Sequence, residues 1–355
     1  MSASDTEHAS RPGRTATIAS MPRYQPHRPP TRIDLSDNTS LWGPPPSVRR
    51  TLAGLSDAQL SRYPTPYADD LTAALASRHA VDVDRVVTGC GSDDVLDSAI
   101  RACCDAGATI AIPVPSFSVV TSFAALNEVA VAPVALLPDG SLDVAAMLAT
   151  AADLHYVCSP NNPTGTVTDD ASLRELLVST RAVVLLDEAY ADFAGHSALG
   201  LTEEFDNLVV VRTLSKACGL AGLRIGYAIG APPVIGPISV SRGPYKVGSL
   251  AEAVALGVLR DDEDWVQGRV AEARALRDWF SERLVALGFD VLASSANFVA
   301  IRVADAAGVF DLMLAHGVLV RAYTALPVFG DLVRITIGPK ELLDEALEAL
   351  EAATR

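Results

Sequence analysis

Three short apolar segments, each followed at once by polar side chains, constrain the fold of this chain more than any other feature. They span residues 156–158, 183–186 and 209–211. Their length and their β-branched content predict buried strands. Open parallel sheets bind ligands at the edge where the carboxyl ends of their strands meet. The polar residues that follow the three segments are therefore expected to share one site.

The third segment leads to Thr213, Ser215 and Lys216, and a glycine-rich return then brings Arg224 back eight positions after the lysine. A lysine amine can form a Schiff base with a carbonyl cofactor. Two hydroxyls and a guanidinium suit a phosphate group, which arginine can bind bidentately. Taken alone, the segment is equally typical of a surface loop with a solvated lysine.

The other two segments end in an acid and in an amide. Asp187 follows the second segment, and a carboxylate at the end of a buried strand is costly unless it has a partner. A pyridinium nitrogen would be such a partner and would stay protonated, so that the ring could withdraw electrons. The first segment runs into a turn that carries Asn161 and Asn162. This turn is expected to deliver an amide to the site, and Asn161 is expected to shape the turn.

Residues 86–94 read as a strand, a glycine-rich turn and the start of a helix. Such a turn lets backbone N–H groups approach an anion, and the helix N-terminus favours negative charge. Gly91, Ser92 and Asp93 are therefore predicted to form a phosphate cup. Ser92 and Asp93 are also expected to cap the helix.

The sequences CSPNNPTG (158–165), DEAY (187–190) and TLSKACGLAGLRIGY (213–227) occur in this order. In order and spacing they resemble fold type I pyridoxal-5′-phosphate aminotransferases, and within them histidinol-phosphate aminotransferase and its close relatives. The resemblance extends from about residue 24 to residue 334. It implies an α/β fold: a large domain with a mostly parallel central sheet flanked by helices, and a smaller α+β C-terminal domain.

The resemblance and the composition together suggest a division of the chain. The predicted parts are a disordered tail (1–20), an N-terminal arm (21–45), a large cofactor-binding domain (46–245) and a small C-terminal domain (246–355). The Pro/Gly-rich stretch 232–245 is expected to be a hinge between the domains. Helices are expected over about 68–79 and 265–287, the second ended by Gly288.

The resemblance implies that pyridoxal 5′-phosphate is the cofactor and that Lys216 holds it and moves protons. It implies that Asp187 faces the ring nitrogen, while Asn162 and Tyr190 contact the phenolic oxygen. The implied ring-stacking residue is Phe117, which stands where the family has a tyrosine. The implied phosphate contacts are Gly91, Ser92, Asp93, Thr213, Ser215, Arg224 and, from a neighbouring subunit, Tyr63.

The resemblance implies that four residues contact the substrate: Tyr24, Asn38, Arg321 and Arg334. Each of the two arginines lies on an otherwise apolar predicted strand, where its charge needs an anionic partner. After Asn38 the chain departs from the family, whose loop normally reads Asn-Glu-Asn-Pro-Tyr-Gly. Here residues 39–42 are Thr, Ser, Leu and Trp. The loop is still expected to line the active site, with altered substrate chemistry.

The implied reaction is transamination between an anionic amino donor, best L-histidinol phosphate, and 2-oxoglutarate or glutamate. The altered loop leaves open an aromatic or other amino-acid aminotransferase of a biosynthetic side pathway. A second class is a decarboxylase that uses the same cofactor on the same fold. Regulators that borrow this fold are a third class, but no basic helix-turn-helix sequence precedes residue 24.

The net charge of −15, from 28 basic and 43 acidic residues, argues against binding nucleic acid or an anionic membrane through a basic face. The five cysteines show no zinc-ligand spacing, so no metal site is predicted, and their scatter favours reduced thiols in the cytoplasm. No apolar run approaches the length of a membrane span. Because Tyr63 is expected to reach a neighbour's cofactor, a homodimer with active sites at its interface is predicted.

Overall fold

The computed structural model describes residues 18–21, 23, 25 and 27–354. Tyr24 and most of the predicted disordered tail therefore lie outside the described residues. Within them the strands are β1 (Ile33–Asp34), β2 (Val86–Cys90), β3 (Thr109–Val114), β4 (Ala130–Ala135), β5 (Leu154–Cys158), β6 (Val183–Asp187), β7 (Leu208–Thr213), β8 (Ile225–Gly230), β9 (Asp290–Val291), β10 (Phe298–Val303), β11 (Val318–Leu319), β12 (Arg321–Leu326) and β13 (Gly330–Thr336).

Helices cover both faces of the larger sheet and extend to the C-terminus. They are α1 (Pro46–Ala53), α2 (Asp57–Ser61), α3 (Asp69–His79), α4 (Gly91–Cys103), α5 (Val119–Leu126), α6 (Val144–Ala149), α7 (Asp170–Ser179), α8 (Ala191–Ala194), α9 (Pro232–Arg242), α10 (Ser249–Asp261), α11 (Glu263–Ala286), α12 (Ala306–Ala315) and α13 (Lys340–Thr354). Short helical turns lie at Val83–Arg85, Ala198–Glu203 and Ala221–Leu223. The predicted helices 68–79 and 265–287 are confirmed as α3 and α11, and Gly288 follows the latter with a φ of +90°.

The directions of the strands in the large sheet determine where the polar residues meet. The strand order within the described residues is β2-β8-β7-β6-β5-β3-β4, and only β8 runs antiparallel to its neighbours. The carboxyl ends of β2, β3, β5, β6 and β7 therefore share one edge, and β8 begins at that same edge. The mostly parallel sheet predicted from the sequence is confirmed.

Side chains along the central strands alternate between two apolar layers, because successive residues of a strand point to opposite faces. Leu185 packs in the layer to which α4 contributes, and Leu186 packs in the layer to which α7 contributes. Each fully buried leucine contributes roughly 1.5–3 kcal/mol. The same alternation directs Asp187 and Glu188 to opposite sides of the sheet.

The C-terminal part of the chain has an antiparallel sheet of its own, ordered β12-β13-β10-β9 among the described strands. Arg321 on β12 lies opposite Arg334 on β13 in this sheet. The N-terminal arm joins this part of the fold, because β1 pairs in parallel with β11. The pairing carries residues 36–38 past Arg334, whose Nη2 donates a hydrogen bond to the backbone oxygen of Ser36.

Most of the Pro/Gly-rich stretch 232–245, which is predicted to be a hinge, is helical, because residues 232–242 form helix α9. Proline is tolerated in the first turn of a helix, where the N–H would have no intrahelical partner, and α9 begins with Pro232 and Pro233. Ile235 and Ile238 then bury α9 in the same apolar layer as α4. The domain boundary after residue 245 stays a prediction.

No helix in the part of the chain that the structure describes combines the length and the apolar character needed to cross a membrane.

Candidate active site

Two adjoining cavities lie at the edge where the parallel strands end. The inner cavity measures about 130 Å³ and the outer cavity about 420 Å³. Both are lined by Phe117, Asn162, Tyr190, Ser215, Lys216 and Arg224. Of the other predicted site residues, the inner cavity adds Ser92, Asp93, Asp187 and Thr213, and the outer cavity adds Asn38, Arg321 and Arg334. The structure thus brings together nearly all of the predicted site.

Lys216 lies where the two cavities meet and differs from the other lysines of the chain. The sequence has only two more, Lys246 and Lys340, and each forms an ion pair with an aspartate. The amine of Lys216 instead donates to the backbone oxygen of Asp37 at 3.2 Å. Burial lowers the pKa of Lys216 to about 8, and the positive charge of Arg334 lowers it too. A neutral amine near pH 8 is available as a nucleophile and as a base.

Asp187 is the last residue of β6 and is only 3% exposed. The Tyr156 hydroxyl donates to its Oδ2 at 2.9 Å, and the backbone N–H of Ala189 donates to its Oδ1 at 3.1 Å. Among the described residues no lysine or arginine forms an ion pair with it. Burial raises the pKa of Asp187 to about 6, although the hydrogen bond from Tyr156 opposes that rise. A ligand with a cationic N–H would relieve the cost of burying this carboxylate.

Tyr190 and Asn38 are held against each other across the cavity wall. The side-chain amide of Asn38 donates to the Tyr190 hydroxyl at 3.0 Å, and the Tyr190 ring meets Phe298 edge to face at 5.3 Å. Burial raises the pKa of Tyr190. Asn38 itself has a φ of +57°. Its backbone N–H donates to the Thr336 hydroxyl, its Oδ1 accepts from that hydroxyl, and its backbone oxygen accepts from the side-chain amide of Asn297. The side-chain amide of Asn38 therefore positions Tyr190 as well as lining the outer cavity.

The residues of the predicted phosphate cup lie together at the start of α4. Gly91 has a φ of +83°, and a Cβ on it would lie 2.6 Å from Nη2 of Arg224. A Cβ on Gly226 would lie 2.1 Å from the backbone nitrogen of Ser92. Glycine at both positions is therefore what lets β8 and Arg224 approach the helix N-terminus, where backbone N–H groups favour an anion. Arg224 also pairs with Asp93 at 2.9 Å.

The predicted capping of α4 by Ser92 and Asp93 was wrong. The helix already begins at Gly91, so both residues lie inside its first turn and not before it. The preceding residue, Cys90, makes no side-chain cap, and its N–H donates to Oδ2 of Asp94 at 3.0 Å.

The hydroxyls that follow β7 form a tight turn beside the cup. The Thr213 hydroxyl lies 2.9 Å from that of Ser215, and the Ser215 N–H donates to Thr213 at 3.1 Å. Arg224 stands directly before β8, which begins at this edge of the sheet because it runs antiparallel to β7. Strand direction thus explains why Arg224 reaches the same place as Ser215.

Arg334 is 5% exposed and has no carboxylate partner among the described residues. Its guanidinium donates to Oδ1 of Asn162 and to the backbone oxygen of Ser36, both at 2.5 Å. It lies over the rings of Phe298 and Tyr323, at 5.3 and 5.7 Å. Its Nε has no hydrogen-bond partner within the described part of the chain. A buried guanidinium in this state suits an anionic ligand.

Arg321 lies beside Arg334 on the neighbouring strand and lines the outer cavity. The described residues include no acid that pairs with it. Two adjacent cations without an acid repel each other unless an anion lies between them.

Asn161 lies in the turn after β5, and the altered loop 39–42 reaches the outer cavity. Asn161 shapes the turn by donating to the backbone oxygen of Pro115 at 3.0 Å and to Thr164 at 2.8 Å. Thr39 lines the outer cavity. Trp42 links the loop to α11, because its indole N–H donates a hydrogen bond to Glu272 at 3.1 Å.

Tyr63 does not reach the cavities of its own chain. Its side chain is 85% exposed, and its ring lies 5.1 Å from that of Tyr245. Tyr24, the fourth predicted substrate contact, lies outside the described residues.

Sequence reasoning missed four contributors to the site: Tyr156, Asp37, Arg28 and Tyr323. Tyr156 stands in the middle of an apolar strand, where an aromatic residue is typical of any core. The others approach the cavity only through long-range pairing of the arm and of β12 with the rest of the fold. A local sequence pattern carries no signal for such contacts.

The inner cavity fits a cofactor that carries an aldehyde, a basic ring nitrogen and a phosphate. Lys216 supplies the amine, and Asp187 is a buried acid in need of a cationic N–H. The glycine-lined cup with Arg224 suits the phosphate, and the Phe117 ring lines the space between them. These are the groups of pyridoxal 5′-phosphate, so the site defines an enzyme that depends on this cofactor.

The comparison with known families agrees. Residues 30–350 match the family described as "Aminotransferase class I and II", and the chain belongs to this family. It is a pyridoxal-phosphate-dependent aminotransferase of fold type I. The resemblance that the three sequence motifs indicated is confirmed.

Within that family the chain is similar to histidinol-phosphate aminotransferases. It is 38% identical to histidinol-phosphate aminotransferase 1 of Burkholderia lata over 309 residues, 84% of this chain and 85% of the relative. It is 34% identical to the enzyme of that name from Syntrophus aciditrophicus, over 90% of this chain and 91% of the relative. The crystal structure of histidinol-phosphate aminotransferase from Sinorhizobium meliloti in complex with pyridoxal-5′-phosphate matches with a TM-score of 0.86 at 26% identity, covering 96% and 97% of the two chains.

Proposed function

We propose that this aminotransferase moves an amino group between L-histidinol phosphate and 2-oxoglutarate, with glutamate as the other amino compound. The observation that carries the proposal is Arg334, a buried guanidinium that lines the outer cavity and has no carboxylate partner among the residues that the structure describes. It can bind a phosphate in one half of the reaction and a carboxylate in the other. The names of the similar enzymes support the phosphorylated donor.

When bound, pyridoxal phosphate supplies a carbonyl that takes up the amino group and a ring that withdraws electrons from the substrate carbon. Lys216 would hold the cofactor, and its amine would then serve as the base and the acid that moves a proton at the reacting carbon of the substrate. Its lowered pKa of about 8 suits that exchange near neutral pH. Asp187 keeps the ring nitrogen protonated. Arg334 fixes the substrate anion so that the reacting carbon lies near the lysine amine.

The remaining predicted cofactor contacts belong to the same proposal. Asn162 and Tyr190 hold the phenolic oxygen, and Phe117 stacks on the ring without the hydroxyl that a tyrosine would add. The phosphate is held by Gly91, Ser92, Asp93, Thr213, Ser215 and Arg224. The closeness of these groups around the inner cavity supports their roles.

We further propose that the enzyme is a homodimer in which Tyr63 contacts the phosphate of the partner's cofactor. The support is an exposed apolar surface near Tyr63, since large exposed apolar groups of this kind mark interaction sites. Its members are Leu60, Tyr63, Tyr67, Tyr245 and Leu250. The cysteines of the described residues are free thiols, which is consistent with work in the cytoplasm.

The test is a comparison of amino donors. Purified holoenzyme is mixed with 2-oxoglutarate and either L-histidinol phosphate, phenylalanine or tyrosine, and glutamate formation is followed. The proposal expects the highest kcat/KM for L-histidinol phosphate and ping-pong kinetics. Preference for phenylalanine or tyrosine would instead identify an aromatic amino-acid aminotransferase. Lys216→Ala is expected to abolish turnover, and near wild-type turnover by this variant would refute the role of the lysine.

A further inference from the structure

Arg28 lies in the N-terminal arm and lines the outer cavity together with Arg321 and Arg334. Its guanidinium forms an ion pair with Asp37, which lines the same cavity. The Arg28 side chain is 51% exposed and that of Asp37 is 21% exposed. Ion pairs this open to solvent are weak. Arg28 can therefore share its remaining N–H groups with a ligand at little cost.

Arg28 contributes to the net positive charge that faces a substrate in the outer cavity. Asp37 is the only acid among the described residues that line it, and the cations that line it are Lys216, Arg224, Arg28, Arg321 and Arg334. Lys216 is proposed to hold the cofactor and Arg224 pairs with Asp93, which leaves Asp37, Arg28, Arg321 and Arg334 to face a substrate. The balance of these four groups is +2 (3 − 1), and it falls to +1 without Arg28. A phosphate monoester carries about −1.5 to −2 at neutral pH, whereas a carboxylate carries −1. The wall as it stands matches a phosphate better than a carboxylate.

Asp37 also explains why the loss of Arg28 would do more than remove one cation. Oδ1 of Asp37 is buried and has no hydrogen-bond partner among the described residues, so the pair with Arg28 is the main compensation of this carboxylate. Without Arg28 the four groups would keep a balance of +1 (2 − 1), but the negative charge of Asp37 would have no ion-pair partner among the described residues. That charge would repel a phosphate more strongly than a singly charged group.

We propose that Arg28 is a specificity-determining residue that selects phosphate-bearing amino donors, by offsetting Asp37 and by donating to the phosphate alongside Arg321. The inference rests on the proposed function, because it concerns the donor that occupies this same site. It adds to that function a residue from the N-terminal arm and a reason for the preference for a phosphate.

The experiment measures binding of two probes that lack an amino group and so bind without reacting. They are 3-(imidazol-4-yl)propyl phosphate and 3-(imidazol-4-yl)propanoate, titrated into holoenzyme by calorimetry. The variants are Arg28→Ala, Asp37→Asn and the double variant. Arg32→Ala is the matched control, because Arg32 is an exposed arginine of the same arm that pairs with Glu345 and does not line the cavity.

Arg28→Ala is expected to weaken binding of the phosphate probe about 30-fold, the effect of one charge-assisted hydrogen bond to a charged group. The carboxylate probe should weaken roughly 3-fold. Asp37→Asn should strengthen binding of the phosphate probe by about 3-fold, and the double variant should recover about the same factor relative to Arg28→Ala, because the hydrogen bond from Arg28 stays lost while the repulsion by Asp37 is removed. Arg32→Ala should bind both probes as the wild type does.

Equal weakening of both probes by Arg28→Ala, or no recovery in the double variant, would overturn the inference. So would equal effects of Arg28→Ala and Arg32→Ala. If Arg28→Ala fails to fold, Asp37→Asn decides alone, and unchanged or weaker phosphate binding counts against the inference. The proposed function is judged separately, by turnover of L-histidinol phosphate in the wild type. Absence of that turnover with the binding pattern intact would refute the substrate and leave the phosphate selectivity standing.

Discussion

Two buried charge clusters lie on opposite sides of the same sheet edge, and only one of them is compensated. Glu188 accepts hydrogen bonds from Ser197 and from the N–H of Ala198, and it pairs with Arg212 at 3.3 Å. Arg212 pairs in addition with Asp192 at 2.8 Å. Asp187, the residue before Glu188, faces the inner cavity and has no cationic partner among the described residues.

The arginines show the same contrast. Arg212 and Arg334 are 7% and 5% exposed, so both are buried. Arg212 has two carboxylate partners, whereas within the described residues Arg334 has none and meets only neutral oxygens and aromatic rings. A buried charge whose partners are all protein groups is part of the fold. A buried charge without one is a place for a ligand. The comparison teaches that compensation, more than burial, separates structural charges from functional ones.

The largest expected effect is that of Asp187→Asn on catalysis. Asparagine keeps the size and the hydrogen bond with Tyr156 but cannot hold a ring nitrogen protonated, so kcat/KM should fall about 10³-fold, or ~4 kcal/mol. The cofactor-free protein should be as stable as the wild type or more so, because a buried carboxylate is removed. Steady-state kinetics measure the loss of kcat/KM, and urea unfolding measures the stability of the cofactor-free variant. A large loss of stability with retained activity would mean that Asp187 is a structural charge and not a functional one.

Arg212→Met should act in the opposite way. It leaves Glu188 and Asp192 without their cation, one of them fully buried, and should lower the free energy of unfolding by roughly 3–4 kcal/mol. Protein that remains folded should keep kcat/KM within about fivefold. Urea unfolding of the cofactor-free variant measures the first quantity. An unchanged free energy of unfolding would mean that the pairing of Arg212 with Glu188 and Asp192 does not stabilise the fold.

The dependence of stability on pH should isolate the contribution of Asp187 when the wild type is compared with Asp187→Asn. The pKa of Asp187 rises from its ordinary 3.8 to about 6 because burial disfavours the carboxylate. Folding therefore favours the protonated acid, and the stabilisation present below pH 4 is lost as the pH rises through 6, about 3 kcal/mol in all. Unfolding curves of the cofactor-free wild type and of Asp187→Asn should diverge over this window. Parallel curves would show that Asp187 does not titrate there.

The smallest of these effects is that of Arg334→Met. Because this arginine compensates no acid among the described residues, its loss should change the free energy of unfolding by no more than about 1 kcal/mol, in contrast to Arg212→Met. The kcat/KM for the anionic substrates should fall about 100-fold, or just under 3 kcal/mol. Urea unfolding and steady-state kinetics measure these two quantities. A destabilisation equal to that of Arg212→Met would remove the distinction between the two arginines.

The sequence predicted the meeting of Asn162, Asp187 and Lys216 because the ends of parallel strands share an edge, which is a property of the sheet and not of any one contact. It did not predict the hydrogen bond from Asn38 to Tyr190, which depends on the pairing of β1 with β11. Nor did it predict helix α9, since two of the prolines that suggested a hinge, Pro232 and Pro233, occupy the first turn of the helix, and Pro237 lies inside it. Long-range pairing and the position of a proline within a helix are both settled by packing.

The most direct test locates the lysine that holds the cofactor. Borohydride fixes the bond between a lysine and pyridoxal phosphate, and digestion followed by mass spectrometry identifies the peptide that carries it. The chain has three lysines, of which Lys246 and Lys340 are paired with acids. In the wild type the label is expected on Lys216 alone. In Asp187→Asn a smaller amount of label is expected, again on Lys216. A label on Lys246 or Lys340 would contradict the placement of the active site at this edge of the sheet.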